Sequence, residues 1–240
     1  MNDHDMPHGI YPMLYAFFNA QGGLDRQATR RQVQAFVDNG AHGMAVLGLG
    51  TEVNKLSDIE RRQLVDWVAD RVELPVAIQS APEYLGVGLT PAGVKTLARN
   101  HPNFRILKAE GAALAIRQVI EEVGDGVTVF NGRGGLELTD NLRAGCAGMI
   151  PASDTFDRQA RIFDLLREGA ETHAEALYRE VLPAIVFVMQ SLDTLHTYGK
   201  RIAAMRMGLG EGFDRAPALQ PNAFGMRCAQ RYAAALGPLA

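Results

Sequence analysis

The sequence predicts an α/β protein in which six short strands alternate with helices, followed by a purely helical region. Two observations lead to this fold class. Short apolar runs recur over residues 1–155, each followed by a stretch with helical spacing of apolar residues, and residues 156–240 show only helical spacing. Strands connected through helices form right-handed βαβ units on a parallel sheet, with helices covering both faces or ringing a barrel. We therefore expect a βα region over residues 1–155 and a helical extension over residues 156–240.

The predicted strands are apolar segments bounded by turn residues or helix signals. They cover residues 9–18, 43–50, 74–79, 104–108, 127–131 and 147–151. Helices are predicted between them: over Arg26–Asp38, after the capping box Ser57-x-x-Glu60, after Thr90-Pro91, over residues 114–122, and as a short helix up to Arg143. In the extension, the longest helix is predicted over residues 172–198, with a kink at Pro183.

Composition and charge narrow the classes of function. The net charge of −3 does not favour a nucleic acid or an anionic membrane surface as a partner. No apolar run approaches the roughly 20 residues of a membrane-spanning helix. The acidic N-terminus has no apolar leader segment, and the only cysteines are Cys146 and Cys228. We therefore expect a reduced, cytoplasmic protein without a disulfide framework.

The best candidate for chemistry is Lys108, at the end of the fourth predicted strand. In parallel βα proteins the active site lies at the carboxyl ends of the strands. Phe104, Ile106 and Lys108 share one strand face, so the amine is expected to point inward; the chain has four lysines against twenty arginines. Burial disfavours the ammonium form, and a free amine in a pocket can form a Schiff base with a carbonyl substrate. The alternative is that Lys108 reaches water or pairs with Glu110.

Several stretches carry a family pattern: GIYPMLYAFFNAQGGLD, GLGTEVNKLSDIER, IQSAPEYLGVGLTP, FRILKAEG, VFNGRGG and AGCAGMIPA. Together they resemble the dihydrodipicolinate synthase/N-acetylneuraminate lyase family of Schiff-base aldolases. The resemblance implies a fold derived from the eight-stranded TIM barrel, with Lys108 forming an imine with pyruvate or another small 2-oxo acid. It also implies no metal or nucleotide cofactor and a homo-oligomer, either a dimer or a tetramer.

The resemblance also implies where the substrate binds. The candidate substrate-binding residues are Gly48, Gly50, Thr51, Tyr84, Asn131, Arg133 and Ile150. The turn over residues 48–52 matches the family segment that holds the carboxylate of the keto acid, and backbone N–H groups in such a turn can form an anion nest. Arg133 is a further anion ligand in this interpretation; the alternative is that it pairs with Glu137.

Four positions depart from the family pattern. The paired threonines of the family align with Leu49 and Gly50, its catalytic tyrosine with Gln79, and an arginine that often clamps a second carboxylate with Tyr84. A glutamine can hydrogen-bond but cannot titrate. Gln79 is therefore expected to orient the substrate rather than to relay protons.

The largest departure is a gap. Residues 70–73 join the second predicted helix directly to the strand at Leu74, where family members continue through a third and a fourth βα unit, about sixty residues. The gap also removes the tyrosine that is lent across a subunit interface in the family. We expect a truncated or open barrel. An open sheet would expose an edge beside the second and third strands; either a partner subunit covers this edge or the sheet stays open.

The leading interpretation is a Schiff-base carbon–carbon lyase or synthase that acts on pyruvate or a related 2-oxo acid, because Lys108 is retained in its strand. The missing tyrosines and the gap favour an alternative, a catalytically impaired relative that binds a keto acid or serves as an assembly subunit. A third interpretation is an internal deletion in the gene of a complete aldolase.

Overall fold

The strands of the protein lie where the apolar runs predict them, and the first, second, fifth and sixth are shorter than their runs. The computed structural model describes residues 7–69, 74, 76–78, 91–100, 106–124, 126–210 and 212–239. The strands are β1 (Gly9–Ile10), β2 (Met44–Val46), β3 (Val76–Ile78), β4 (Ile106–Ala109), β5 (Thr128–Asn131) and β6 (Gly148–Met149). Beyond β1 the predicted strand continues only through single bridges, in which Met13 pairs with both Ala45 and Ala152.

The strand pairs are all parallel, as the βα alternation predicts. One sheet has the order β1-β6-β5-β4, and a second pairs β2 with β3. The bridges at Met13 place β2 beside the segment that follows β1, so the strands run β4-β5-β6-β1-β2-β3 in space. Strands β6 and β1 are distant in the chain but pair with each other. The last and first strands of a closed barrel pair in the same way.

The predicted position of the open edge is wrong. The second and third strands pair with each other, with Met44 opposite Val76 and Val46 opposite Ile78. The pairing brings together the strands on either side of the sequence gap. Among the described residues, β4 pairs with β5 and forms no ladder with β3. Within the described residues the two sheets are therefore not joined between β3 and β4, and Ile106 of β4 is 46% exposed.

The helices of the βα region follow the predicted signals. They are α1 (Arg26–Asp38), α2 (Asp58–Ala69), α3 (Pro91–Asn100), α4 (Ala113–Val123), α5 (Leu138–Arg143) and α6 (Phe156–Arg167). The Asp25 side chain caps α1 by accepting from the Ala28 N–H at 2.9 Å. The capping box before α2 is formed in both directions: the Ser57 N–H donates to Glu60, and the Glu60 N–H donates to the Ser57 hydroxyl.

The helical extension contains more breaks than the sequence predicts. Its elements are α7 (Glu171–Val188), α8 (Leu192–Thr194), a π-helical turn (Leu195–Gly199), α9 (Lys200–Arg206) and α10 (Ala223–Leu236). The helix predicted to reach residue 198 ends at Val188. The Ser191 hydroxyl then accepts from the Thr194 N–H at 3.0 Å and starts a new helix. Pro183 lies inside α7, and the kink expected there stays a prediction.

The two regions share one hydrophobic core. A single buried cluster contains Leu14 and Met149 from the strand region and Ile185 and Ile202 from the extension. Helix α6 follows β6 and contacts β1, so it completes the sixth βα unit rather than opening the extension. No helix in the described part of the chain is long and apolar enough to cross a membrane.

Candidate active site

A cavity of about 310 Å³ lies at the carboxyl ends of the strands. The turn after β2, the end of β4, the turn after β5 and the segment after β6 form one side, and α8 with the π-helical turn forms the other. Its charged lining residues in the described part of the chain are Lys108, Glu110 and Arg133. Ligand sites in parallel βα folds lie at this end of the sheet.

Lys108 reaches the cavity from β4, where it lies opposite Phe130 of β5. Its side chain is 14% exposed, and its Nζ donates a hydrogen bond to Glu110 Oε1 at 2.6 Å. The two outcomes weighed from the sequence, an inward lysine and a pair with Glu110, therefore occur together. A primary amine is thus held at the wall of a cavity large enough for a small substrate.

The turn after β2 presents backbone donors to the same cavity. Leu47 and Glu52 both adopt left-handed φ values, 62° and 55°, and bracket a tight turn. Within it the Thr51 N–H donates to the Gly48 carbonyl and the Glu52 N–H to the Leu49 carbonyl. In the described part of the chain the N–H groups of Leu49 and Gly50 donate to no protein acceptor, and both residues line the cavity. Such amides can bind a carboxylate.

A buried charge cluster supports this turn from behind. Lys200 and Glu52 are each 1% exposed and form an ion pair, and Lys55 donates to the other oxygen of Glu52 at 2.6 Å. The ring of His196, in the π-helical turn, donates from Nε2 to the Leu49 carbonyl at 2.8 Å, which fixes the tautomer because a carbonyl only accepts. The extension thus holds the turn through one ion pair and one hydrogen bond.

Burial and charge act in opposite directions on this cluster. Burial alone would raise the pKa of Glu52, but the charge of Lys200 and the hydrogen bonds from both lysines outweigh it and lower that pKa. Burial lowers the pKa of Lys200, against the attraction of Glu52. Burial also lowers the pKa of His196, which keeps that ring neutral near neutral pH. The only sequence signal for this cluster is that Lys200 is one of four lysines and lies in an apolar helical stretch, and its partners in the cluster were not predicted.

Arg133 and Ile150 are the other predicted residues that the structure brings to the cavity. Arg133 has a left-handed φ of 57° and its guanidinium donates to Glu137 at 3.1 Å. The predicted pair with Glu137 therefore forms while Arg133 still lines the cavity. Ile150 contributes an apolar wall and is 8% exposed.

Three predicted substrate-binding residues lie behind the cavity lining. The Thr51 hydroxyl donates to the Leu14 carbonyl at 2.7 Å, and Gly48 is buried, with its carbonyl accepting from the turn. The Asn131 amide donates to the Gly111 carbonyl and to Asn141, so it joins β5 to α5. Their polar groups are used within the protein, which gives them a structural role. Gln79 and Tyr84 lie outside the described residues.

A second cavity, of about 380 Å³, lies at the opposite ends of the strands, near Cys146, Phe163 and Arg167. Burial raises the pKa of the Cys146 thiol to about 12, so it is not a thiolate nucleophile at neutral pH. Within the part of the chain that the structure describes, no cluster of three or more His, Cys, Asp or Glu side chains could hold a metal ion. That the reaction needs no cofactor stays a prediction.

Comparison with known proteins identifies the family. The family model described as "Dihydrodipicolinate synthetase family" matches residues 6–79 and 66–220. A relative from Escherichia coli K12, "Putative 2-dehydro-3-deoxy-D-gluconate aldolase YagE", is 31% identical over 251 residues, covering 78% of this chain and 82% of its own. A 4-hydroxy-tetrahydrodipicolinate synthase of Limosilactobacillus fermentum is 31% identical over 127 residues, 52% of this chain and 40% of its own length.

The lengths of these alignments agree with a gap of two βα units in the sequence of this chain. Since 78% of 240 residues is about 187, about 64 of the 251 positions aligned with the Escherichia coli relative lie opposite gaps in this chain. That number is close to the roughly sixty residues of two βα units. The two pieces of the family match also meet over residues 66–79, where the sequence analysis places the missing units.

Solved structures share the fold at low sequence identity. A dihydrodipicolinate synthase from Rhodopseudomonas palustris superposes with a TM-score of 0.79 at 17% identity, covering 95% of this chain and 97% of its own. The sialic acid aldolase of Ruminococcus gnavus superposes with a TM-score of 0.78 at 16% identity, covering 95% and 96%. The fold is thus an α/β fold of the TIM-barrel type with a C-terminal helical region, and the chain belongs to the dihydrodipicolinate synthetase family.

Proposed function

We propose that this protein is a Schiff-base-forming carbon–carbon lyase or synthase that acts on pyruvate or a related 2-oxo acid. The observation that carries the proposal is the placement of the Lys108 amine in the wall of the cavity at the carboxyl ends of the strands. Relatives of the chain are named as a synthase, an aldolase and a lyase, which supports this reaction class. The chain spans about half or less of the length of the curated synthases that it matches. The substrate class is therefore inferred from the residues of the site.

The cavity offers anion contacts beside the amine. A 2-oxo acid has a carbonyl carbon for nucleophilic attack and an adjacent carboxylate. Leu49, Gly50 and Arg133 line the same cavity as Lys108, and they carry two backbone amides and a guanidinium. We assign these groups to the substrate carboxylate, because backbone nests and guanidinium groups both bind carboxylates. The amine then attacks C2, and loss of water leaves the imine.

Borohydride trapping tests the proposal directly. Sodium borohydride reduces an imine to a stable secondary amine, so the protein is incubated with pyruvate and borohydride and analysed by peptide mass spectrometry. We expect an adduct on Lys108 in the native protein and none in Lys108→Arg, which keeps the charge and removes the nucleophile. Lys95→Arg is the matched control, because Lys95 is an exposed lysine of α3 and the adduct must persist.

Substrate class is tested in the same assay. Acetaldehyde has the carbonyl but not the carboxylate, so we expect less adduct from it than from pyruvate or 2-oxobutyrate at equal concentration. Failure of every 2-oxo acid to label Lys108 would overturn the proposal. Pyruvate binding by calorimetry without labelling would then support the impaired relative instead.

A further inference from the structure

We propose that Glu110 is the general acid and base of this site. In this role its carboxyl group exchanges protons with Lys108 and with the bound substrate. The inference rests on the proposed function. Imine formation and the reactions that follow it move protons at the amine, at the departing oxygen and at C3 of the substrate. A titratable group next to Lys108 can carry these protons.

The geometry points to Glu110 for a local reason. Alternate residues of an extended segment lie on the same face, so the side chain two positions after Lys108 emerges on its side. Glu110 follows the last residue of β4, and its Oε1 lies 2.6 Å from Lys108 Nζ, within direct proton-transfer reach. The carboxylate lines the same cavity and is 43% exposed, so it can exchange protons with solvent between steps.

The adjacent strand leaves room for this carboxylate. Gly132 directly follows β5, and a Cβ built there would overlap the Oε1 of Glu110. The backbone of Gly132, with φ −89° and ψ −126°, also lies outside the regions that residues with a Cβ usually adopt. Glycine at this position therefore suits the backbone of the turn and leaves room for the Glu110 carboxylate.

No other lining group in the described part of the chain can serve in the same way. Of the charged lining residues, Lys108 is the nucleophile of the proposed function, and Arg133 is a guanidinium that donates hydrogen bonds and has no acceptor atom. The ring of His196 and the carboxylate of Glu52 lie behind the turn, bound to the Leu49 carbonyl and to Lys200. Glu110 is thus the one described carboxylate in contact with the reacting amine.

The Glu110 carboxylate can take part in the proton transfers of both imine and enamine formation. Glu110 first takes a proton from the Lys108 ammonium, which frees the amine to form the N–C2 bond; the substrate oxygen then receives the proton displaced from nitrogen. The Glu110 carboxylic acid protonates the carbinolamine hydroxyl, the C2–O bond breaks, and water leaves with the iminium formed. The Glu110 carboxylate finally removes a proton from C3 of the iminium, and the C–H electron pair forms the enamine.

Hydrogen exchange at C3 of pyruvate tests this role without a second substrate. In D₂O the enamine returns with deuterium at C3, and proton NMR follows the loss of the methyl signal. We expect Glu110→Gln to slow the exchange by about 10²–10⁴-fold, while prolonged incubation with borohydride still labels Lys108. The matched control is Glu121→Gln, which breaks a carboxylate–arginine contact of the same 2.6 Å on exposed α4 and leaves exchange unchanged.

A second variant keeps the carboxylate and moves it. Glu110→Asp shortens the side chain by one methylene and withdraws the carboxylate from the Lys108 amine, so we expect a loss of exchange with labelling retained. Exchange at the native rate in Glu110→Gln, or native labelling without any exchange, would refute the role of Glu110 and leave the proposed function standing. Absence of labelling in the native protein would instead remove the proposed function, and this inference with it.

Discussion

At the residue scale, Glu52 is a buried carboxylate that two ammonium groups share. Lys200 contacts one oxygen from α9 and Lys55 the other at 2.6 Å. Removing charged groups from water costs free energy, and the attraction within the ion pair offsets that cost only while both partners are present. The cluster is therefore a point at which a single change acts on both stability and the carboxylate-binding turn.

The first stability prediction concerns Lys200→Met. Removing the ammonium leaves Glu52 buried with Lys55 as its remaining ammonium partner in the cluster, so we expect the free energy of unfolding to fall by about 3 kcal/mol, measured by urea denaturation. Lys95→Met, on an exposed position of α3, serves as control and should change it by less than about 0.5 kcal/mol.

The double variant separates pairing from packing. In Glu52→Gln/Lys200→Met no buried carboxylate is left to compensate, so the loss should be smaller than the sum of the two single losses. Additive losses would show that the side chains act independently and that the ion pair is not what stabilises the turn.

At the scale of elements, the start of α2 is fastened to a segment far along the chain. The Ser57–Glu60 capping box is local, but Arg215 adds two hydrogen bonds to Glu60, at 2.6 and 3.0 Å, and one to the Lys55 carbonyl at 2.8 Å. The Arg215 guanidinium also stacks over the Phe18 ring, 4.2 Å from its centre. Hydrogen bonds from Arg215 and Ser57 lower the pKa of Glu60 to about 2.

The pH dependence of stability follows from that shift. A carboxyl group whose pKa is lower in the folded state stabilises the protein fully above its unfolded pKa, about 4.5. The contribution is lost as the pH falls from about 4.5 to about 2. We therefore expect Glu60→Gln to be less stable than the native protein at pH 7 and equally stable near pH 2, by chemical denaturation. A difference that is constant across this range would contradict the role of the charge.

At the scale of the whole molecule, the helical extension and the strand region complete each other. Phe36 and Met149 belong to the same buried cluster as Val181 and Ile202. Polar contacts also cross between the regions: Arg206 donates to the Asp154 carbonyl at 2.6 Å and Arg31 to the Met207 carbonyl at 3.0 Å. The boundary at residue 155 is a change of sequence pattern within a shared core.

This sharing predicts one cooperative unit. We expect the full chain to unfold in a single calorimetric transition, and a chain ending at residue 155 to show none, because the truncation exposes apolar surface that the extension covers. The near-ultraviolet circular dichroism of the fragment, which reports fixed packing of side chains, is a second measurement. Two transitions in the full chain, or a cooperative fragment, would show that the regions fold as separate domains.

Sequence reasoning succeeded where the interactions are local. The capping box at Ser57 and the strand ending near Lys108 depend on residues a few positions apart. It failed for strand lengths and for the end of α7, because Met13 continues β1 only through bridges and Ser191 starts a new helix where apolar spacing predicts continuity. It also missed Lys200, whose partner Glu52 lies 148 residues away.

By itself the sequence determined the order of strands and helices, the family pattern and the gap of two βα units. It also determined that Lys108 and Glu110 emerge on one side, since a strand alternates its side chains along the local chain. Only the tertiary structure decided that β2 pairs with β3 across the gap, and that His196 and Lys200 support the turn at Gly50. Those contacts join segments distant in the chain, and which of them meet depends on how the whole core packs.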